Sequence, residues 1–207
     1  HPLDSLEQML VLTAAAGNTG WHYMIYRDSS YAPHLSNYSA AAGGRTFPSA
    51  AGWHVVDFFY TDDNGVYYFP TRDAPSLMER NEKGQMDLNA WLSAHRTRIR
   101  KLADGRLHLP AEEPYIEGHN TWCANRPGST LIIPVADIAQ MTLDALSFMV
   151  SNGFCMYDDV HGQNIPGIER FRNLVDVEHP WPLSVVEQKS LSFGTAELTT
   201  SCYAGML

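Results

Sequence analysis

The feature that most constrains this chain is a pair of aromatic and β-branched segments, residues 53–60 and 66–69, separated by Asp62-Asp63-Asn64-Gly65. Such segments on either side of an Asn-Gly turn signal predict an antiparallel hairpin. Burial of each aromatic there is worth about 2–3 kcal/mol, so the hairpin needs a core to pack on. Residues 131–134, Leu-Ile-Ile-Pro, read as a buried strand.

Helical signals intersperse with these strands. Asp4 and Glu7 form a capping box that opens a first helix. Leu3, Leu6, Met9, Leu10 and Thr13 recur there at helical spacing, and Gly17 can end it. Asp87 starts a second helix with Leu88, Trp91, Leu92, His95, Ile99 and Leu102 on one face and Gly105 at its close. Arg96, Arg98, Arg100 and Lys101 lie mostly off that face and read as a solvated face, with anion binding the alternative. Asp137 starts a third, carrying Ile138, Met141, Ala145, Leu146 and Met149 and ending at Asn152-Gly153. Residues 166–174 predict a short helix, Ser184 with Glu187 a further capping box, and 195–207 a last helical stretch. Residues 18–47 read as one long loop, a kind of segment that is often functional. The mixture predicts an α+β fold in one domain spanning 1–207, with no repeat and no linker.

Bulk properties narrow the function. A formal net charge of −9 would repel phosphate backbones, so no nucleic acid partner is expected. No apolar run approaches the roughly 20 residues of a membrane span. Three cysteines, Cys123, Cys155 and Cys202, do not form a disulfide framework. Asp4 and Glu7 stand where a signal peptide is basic, and the expected compartment is cytoplasmic.

Most catalytic signatures are absent: there is no Gly-x-Gly-x-x-Gly, Walker loop, Gly-x-Ser-x-Gly or Cys-x-x-Cys. His119 with Cys123, and Asp158, Asp159 and His161 in one loop, have metal-like spacing. Neither has a matching second pair, and zinc needs three or four convergent ligands, so no metal is expected. Asp158 reads equally well as an Asx-turn residue. Residues 43–52, Gly-Gly-Arg-Thr-Phe-Pro-Ser-Ala-Ala-Gly, stand out as a run of small residues opening into a strand. Small residues let backbone approach a flat ring, and Arg45 can pair with a phosphate. A plain glycine-rich turn ahead of a strand is the alternative.

A helix, a glycine-rich stretch, Arg45-Thr46-Phe47-Pro48-Ser49-Ala50-Ala51-Gly52, and then a hairpin with Gly65-Val66-Tyr67-Tyr68-Phe69 resemble the nitroreductase-like flavoproteins, closest to the SagB-type, azoline-oxidase-like dehydrogenases. The stretch from Glu197 to the end resembles the start of that family's long central helix. The resemblance implies a central, mostly antiparallel sheet flanked by helices, an FMN cofactor and a homodimer whose interface forms the flavin sites. By analogy Arg45 contacts phosphate or ribityl, and Pro48, Ser49, Ala50 and Ala51 run along the isoalloxazine ring. The implied activity is two-electron hydride transfer to a small-molecule substrate, with NAD(P)H a candidate donor. An azoline oxidase acting on a modified peptide, and a flavin-free binding or scaffold protein, are the rival expectations. The family's phosphate-binding Arg-Arg-Ser-x-Arg stretch would precede Pro2, and a later flavin-contacting segment would follow Leu207, so the domain is expected to be incomplete at both termini. His54, beside the ribbon, is the candidate proton relay; the alternative is a histidine alternating outward from a strand.

Overall fold

The computed structural model describes residues 1–21, 43–49, 52–70, 82–85, 87–117 and 120–206, and its centre is the aromatic hairpin. Strands β3 (Val56–Asp62) and β4 (Gly65–Phe69) pair antiparallel, with Phe58 opposite Phe69 and Tyr60 opposite Tyr67. The Tyr60 and Tyr67 rings stack at 4.7 Å, and those of Phe59 and Tyr68 at 4.8 Å. Such pairs add about 0.5–1.5 kcal/mol each beyond the area they bury. Phe58, Tyr60 and Phe69 are buried in the core.

The turn works differently from a plain Asn-Gly turn. Asp62 faces Gly65 across the loop. The Asp62 carboxylate accepts the amides of Asn64 at 2.8 Å and Gly65 at 3.1 Å. Gly65 itself is required by close approach, since a Cβ there would lie 2.7 Å from the Ala103 carbonyl oxygen. The first strand also begins at Val56 rather than Trp53.

The main sheet runs β5 (Arg100–Asp104), β4, β3, β6 (Leu131–Ala136), with every neighbour antiparallel. Its edge strand β5 corrects the expected second helix. That helix is α2 (Leu88–Arg96), capped by the Asp87 carboxylate on the Ala90 amide at 3.1 Å. It stops at Thr97, and Leu102 lies exposed in β5 instead of on a helical face. Pairing along the open edge of β4 satisfies the backbone of 100–104, and that tertiary gain overrides helix propensity. Both sheet edges are poor templates for aggregation: β5 carries Arg100 and Lys101, and β6 carries Pro134.

The ends of the expected long loop also pair, as β1 (Asn18–Trp21) and β2 (Gly43–Arg45). Residues 22–42 between them lie outside the described residues. Helix α1 (Ser5–Ala16) has the expected capping box, and Gly17 ends it. Its buried face is Met9, Leu12, Thr13, Ala15 and Ala16, whereas Leu3, Leu6 and Leu10 of the expected face are exposed. The small residues face inward because α5 comes close: a Cβ on Gly205 would lie 2.9 Å from the Ala15 Cβ. A short helix α3 (Thr121–Ala124) precedes β6. Helix α4 (Ile138–Ser151) runs as expected from Asp137 to Asn152-Gly153. After it, β7 (Phe154–Asp158) pairs antiparallel with β8 (Gln163–Asn164) and parallel with β9 (Asp176–Pro182). The helix expected over 166–174 is a single 3-10 turn, Ile168–Phe171.

The last element is the longest. Helix α5 (Leu183–Met206) joins the expected capping-box and terminal segments into 24 residues. It packs on α1, α4, β3, β6, β7 and β9. Its buried stripe is Val186, Ser190, Gly194, Glu197 and Ser201, at helical spacing. Small residues make the close approach possible, since a Cβ on Gly194 would lie 2.3 Å from Ile138 Cδ1. Among the described residues no helix is long and apolar enough to cross a membrane.

The expected Ser184–Glu187 capping box is replaced by a distant cap. The Asp159 carboxylate accepts the Ser184 amide at 3.0 Å and the Ser184 hydroxyl. These bonds, the hydroxyl first, hold the Asp159 carboxyl below the usual carboxylate range. A negative charge there also suits the positive end of the helix. Asp159→Ala is expected to lower the urea midpoint clearly, and Glu187→Ala to leave it nearly unchanged. Equal effects of the two substitutions would contradict this cap.

Candidate functional site

The small-residue ribbon runs from the end of β2 to the start of β3. Arg45, half-buried, faces Asn18 across the β1–β2 pair. The Thr46 amide donates to the Gly17 carbonyl at 3.1 Å. Phe47 is buried and Pro48 beside it is exposed. Ala50 and Ala51, expected beside the ring, lie outside the described residues. Gly52 resumes the chain with φ at 73°, and His54 has φ at 49°. A non-glycine residue in this left-handed region carries strain that surrounding contacts must hold.

The holding group is Glu197, from the middle of α5 and 2% exposed. One carboxylate oxygen takes the Ser49 hydroxyl. The other accepts the buried Val55 amide at 2.9 Å. The Ser49 oxygen in turn accepts the Trp53 amide at 3.0 Å and the His54 amide at 3.4 Å. Hydrogen bonds to a charged partner contribute about 1.5–3 kcal/mol, and an orphaned buried amide costs about 1–3 kcal/mol. These bonds explain why β3 begins late: the amides of residues 53–55 go to side chains rather than to a strand. They also place Ser49 on the inner side of the ribbon, while Pro48 faces outward.

His54 does not alternate outward from a strand. It is buried in the ribbon, with its ring edge-on to Phe47 at 5.6 Å. Trp53 turns the other way and lines an apolar cleft of about 240 Å3 between α4, α5 and β9. Phe148, Trp181, Val186, Lys189 and Phe193 share its walls. Arg45, Pro48 and Ser49 are not among its lining residues.

Under the Arg45 end of the ribbon lies a second buried polar group. His95 is fully buried, its Nε2 accepting the Asn18 amide at 2.8 Å. Its Nδ1 is 2.8 Å from the Trp91 carbonyl, so Nδ1 carries the proton of a neutral ring. The Trp91 indole donates to the Asn18 carbonyl at 2.8 Å. Together these bonds fasten α2 to β1 and so fix the strand that pairs with Arg45. Burial pushes the His95 imidazole below its ordinary value of 6.5; the Trp91 carbonyl opposes this and the Arg45 charge adds to it.

The remaining candidates are spread apart. Asp158 is an Asx-turn residue, accepting the amides of Val160 at 3.1 Å and His161 at 3.0 Å. Its other oxygen pairs with the His161 ring at 2.6 Å, while Asp159 caps α5. Cys123 donates to the Asn120 carbonyl at 3.2 Å, and His119 lies outside the described residues. Among the described residues no three His, Cys, Asp or Glu side chains gather as a metal site. Burial pushes the Cys155 and Cys202 thiols up, which makes them poor nucleophiles at neutral pH.

In comparisons with known proteins, no family profile matches the chain, and no curated protein or solved structure matches it. The sequence pointed to the ribbon and to Arg45, Pro48 and Ser49. It placed Glu197 on a helix but gave it no role. The signal available was its position in the stripe Ser190, Gly194, Glu197, Ser201, where a carboxylate on the packed face must find buried donors.

Unfolded chains take up a proton at His95 that the folded protein resists. Stability from this imidazole is therefore full above pH 6.5 and falls as pH drops below it toward the lower folded value. In urea unfolding between about pH 7.5 and about pH 5, His95→Gln is expected to flatten this decline while lowering stability at the upper end. Identical pH slopes for the variant and the parent would contradict the assignment.

Proposed function

We propose that the chain is an FMN-dependent oxidoreductase of the nitroreductase-like class, closest to its SagB-type branch. The observation that carries this reading is the anchored ribbon: a small-residue segment clamped from within by Ser49 and Glu197, with Pro48 on its outer edge. Rigid support of backbone beside a cofactor is what flavin chemistry asks of a protein. The donor set fits in part. Arg45, at the head of the ribbon, would hold the phosphate or ribityl hydroxyls. The outward edge at Pro48 would lie along the ring. Ser49 serves from beneath, because its hydroxyl is given to Glu197.

Bound FMN supplies two-electron hydride transfer. The chain's own share is to position and to exclude water. Glu197 and Ser49 hold the ribbon against α5, and Phe47 and His54, both buried within the ribbon, pack edge-on. His54 stays the candidate proton-handling group, because it sits in the ribbon itself. Exposed apolar side chains on α4 and α5, among them Leu143, Leu191, Tyr203 and Met206, support a homodimer.

The flavin-free binding protein is the second reading, and the inward commitment of Ser49 favours it. One titration separates the two. Purified protein mixed with FMN is expected to retain it through gel filtration and to show the flavin bands, and Arg45→Ala is expected to weaken retention by about tenfold or more. A colourless protein that ignores added FMN would remove the flavin reading and leave the binding protein.

A further inference from the structure

We propose that the cleft between α4, α5 and Trp53 is a binding site for a small, flat aromatic anion of one or two fused rings. Four aromatic side chains, Trp53, Phe148, Trp181 and Phe193, wall a space of about 240 Å3. That is just below the roughly 300–1,000 Å3 of sites for drug-sized ligands, so it suits a smaller ring system. Phe148, Trp181 and Phe193 stay 42%, 40% and 39% exposed. Leaving three large rings part-exposed around one concavity forgoes apolar burial that a ligand would supply.

The charge at the rim sets the sign of the ligand. Among the described residues lining the cleft, Lys189 carries the one formal charge. Its ammonium stands 5.7 Å from the centre of the Trp181 ring. The cation held over one wall attracts a carboxylate or sulfonate attached to a ring lying in the cleft, locally and against the protein's overall charge of −9. An aromatic cation would meet repulsion from the same ammonium. Of the two buried residues at its base, Val186 is apolar and Ser190 gives its hydroxyl proton to the Val186 carbonyl, so specificity comes mainly from ring shape and one charge. The site stands on side chains that do not include Arg45, Pro48 or Ser49, and it is independent of the flavin reading.

The test uses two probes of equal ring size, naphthoate and naphthylmethylammonium, with Trp53 and Trp181 as fluorescent reporters. Titrations run with and without added FMN, so that failure here and failure to bind flavin are read separately. Naphthoate is expected to quench tryptophan fluorescence saturably and to bind more tightly than the ammonium analogue. Lys189→Met is expected to weaken naphthoate by about threefold and to abolish the preference. Phe193→Ala, at an exposed position, is expected to weaken both probes by about tenfold. Absence of saturable binding, equal binding of the two probes, or indifference to both substitutions would overturn the proposal. So would a cross-linked dimer in which Phe193 is covered by a second copy and naphthoate is shut out.

Discussion

The carboxylate of Glu197 is the interaction on which the site depends. It sits in the middle of the longest helix, almost fully removed from water. A lone carboxylate in such a place is costly, and it persists because its oxygens are given donors. Those donors come from the ribbon: the Ser49 hydroxyl and the Val55 amide. Ser49 extends the same network to the amides of Trp53 and His54. The result is a non-strand, part left-handed segment whose amides at 53–55 are given side-chain acceptors.

Everything around this carboxylate serves to bring α5 into reach. Gly194 and Gly205 remove side chains where Ile138 and Ala15 press in. Ser190 and Ser201 turn their hydroxyls onto carbonyls of their own helix, at Val186 and Leu198. Asp159 fixes the start of the helix from another part of the chain. On the far side the buried His95, Asn18 and Trp91 cluster fastens β1, and β1 carries the strand of Arg45. Two buried polar groups, Glu197 and His95, thus hold the two ends of one ribbon. The proposed flavin reading rests on this preorganised ribbon and its outward edge, and the proposed small-anion site rests on the adjoining aromatic cleft.

Local chemistry made much of the fold legible. The hairpin, the Asp4, Asp87 and Asp137 caps, and the Asn152-Gly153 stop all follow from short-range rules. Long-range terms account for what was not legible. Residues 100–104 became a strand because β4 had an open edge, which no window around Leu102 reveals. Leu3, Leu6 and Leu10 face outward because α1 must present alanines to α5. Ser184 is capped by Asp159, 25 positions earlier, so the local Ser-x-x-Glu pattern misled. At the site, composition picked out the ribbon, yet Ser49 turned inward because a buried glutamate 148 positions away required its hydroxyl.

Amide hydrogen exchange at Val55 tests this account most directly. Val55 precedes the first strand of the hairpin, and its amide donates to the Glu197 carboxylate. If that bond anchors the ribbon, the Val55 amide exchanges as slowly as those of β3, and Glu197→Ala speeds it to the rate of an open loop while the β4 amides stay protected. A Val55 amide that exchanges freely in the unaltered protein, or that keeps its protection in Glu197→Ala, would contradict it.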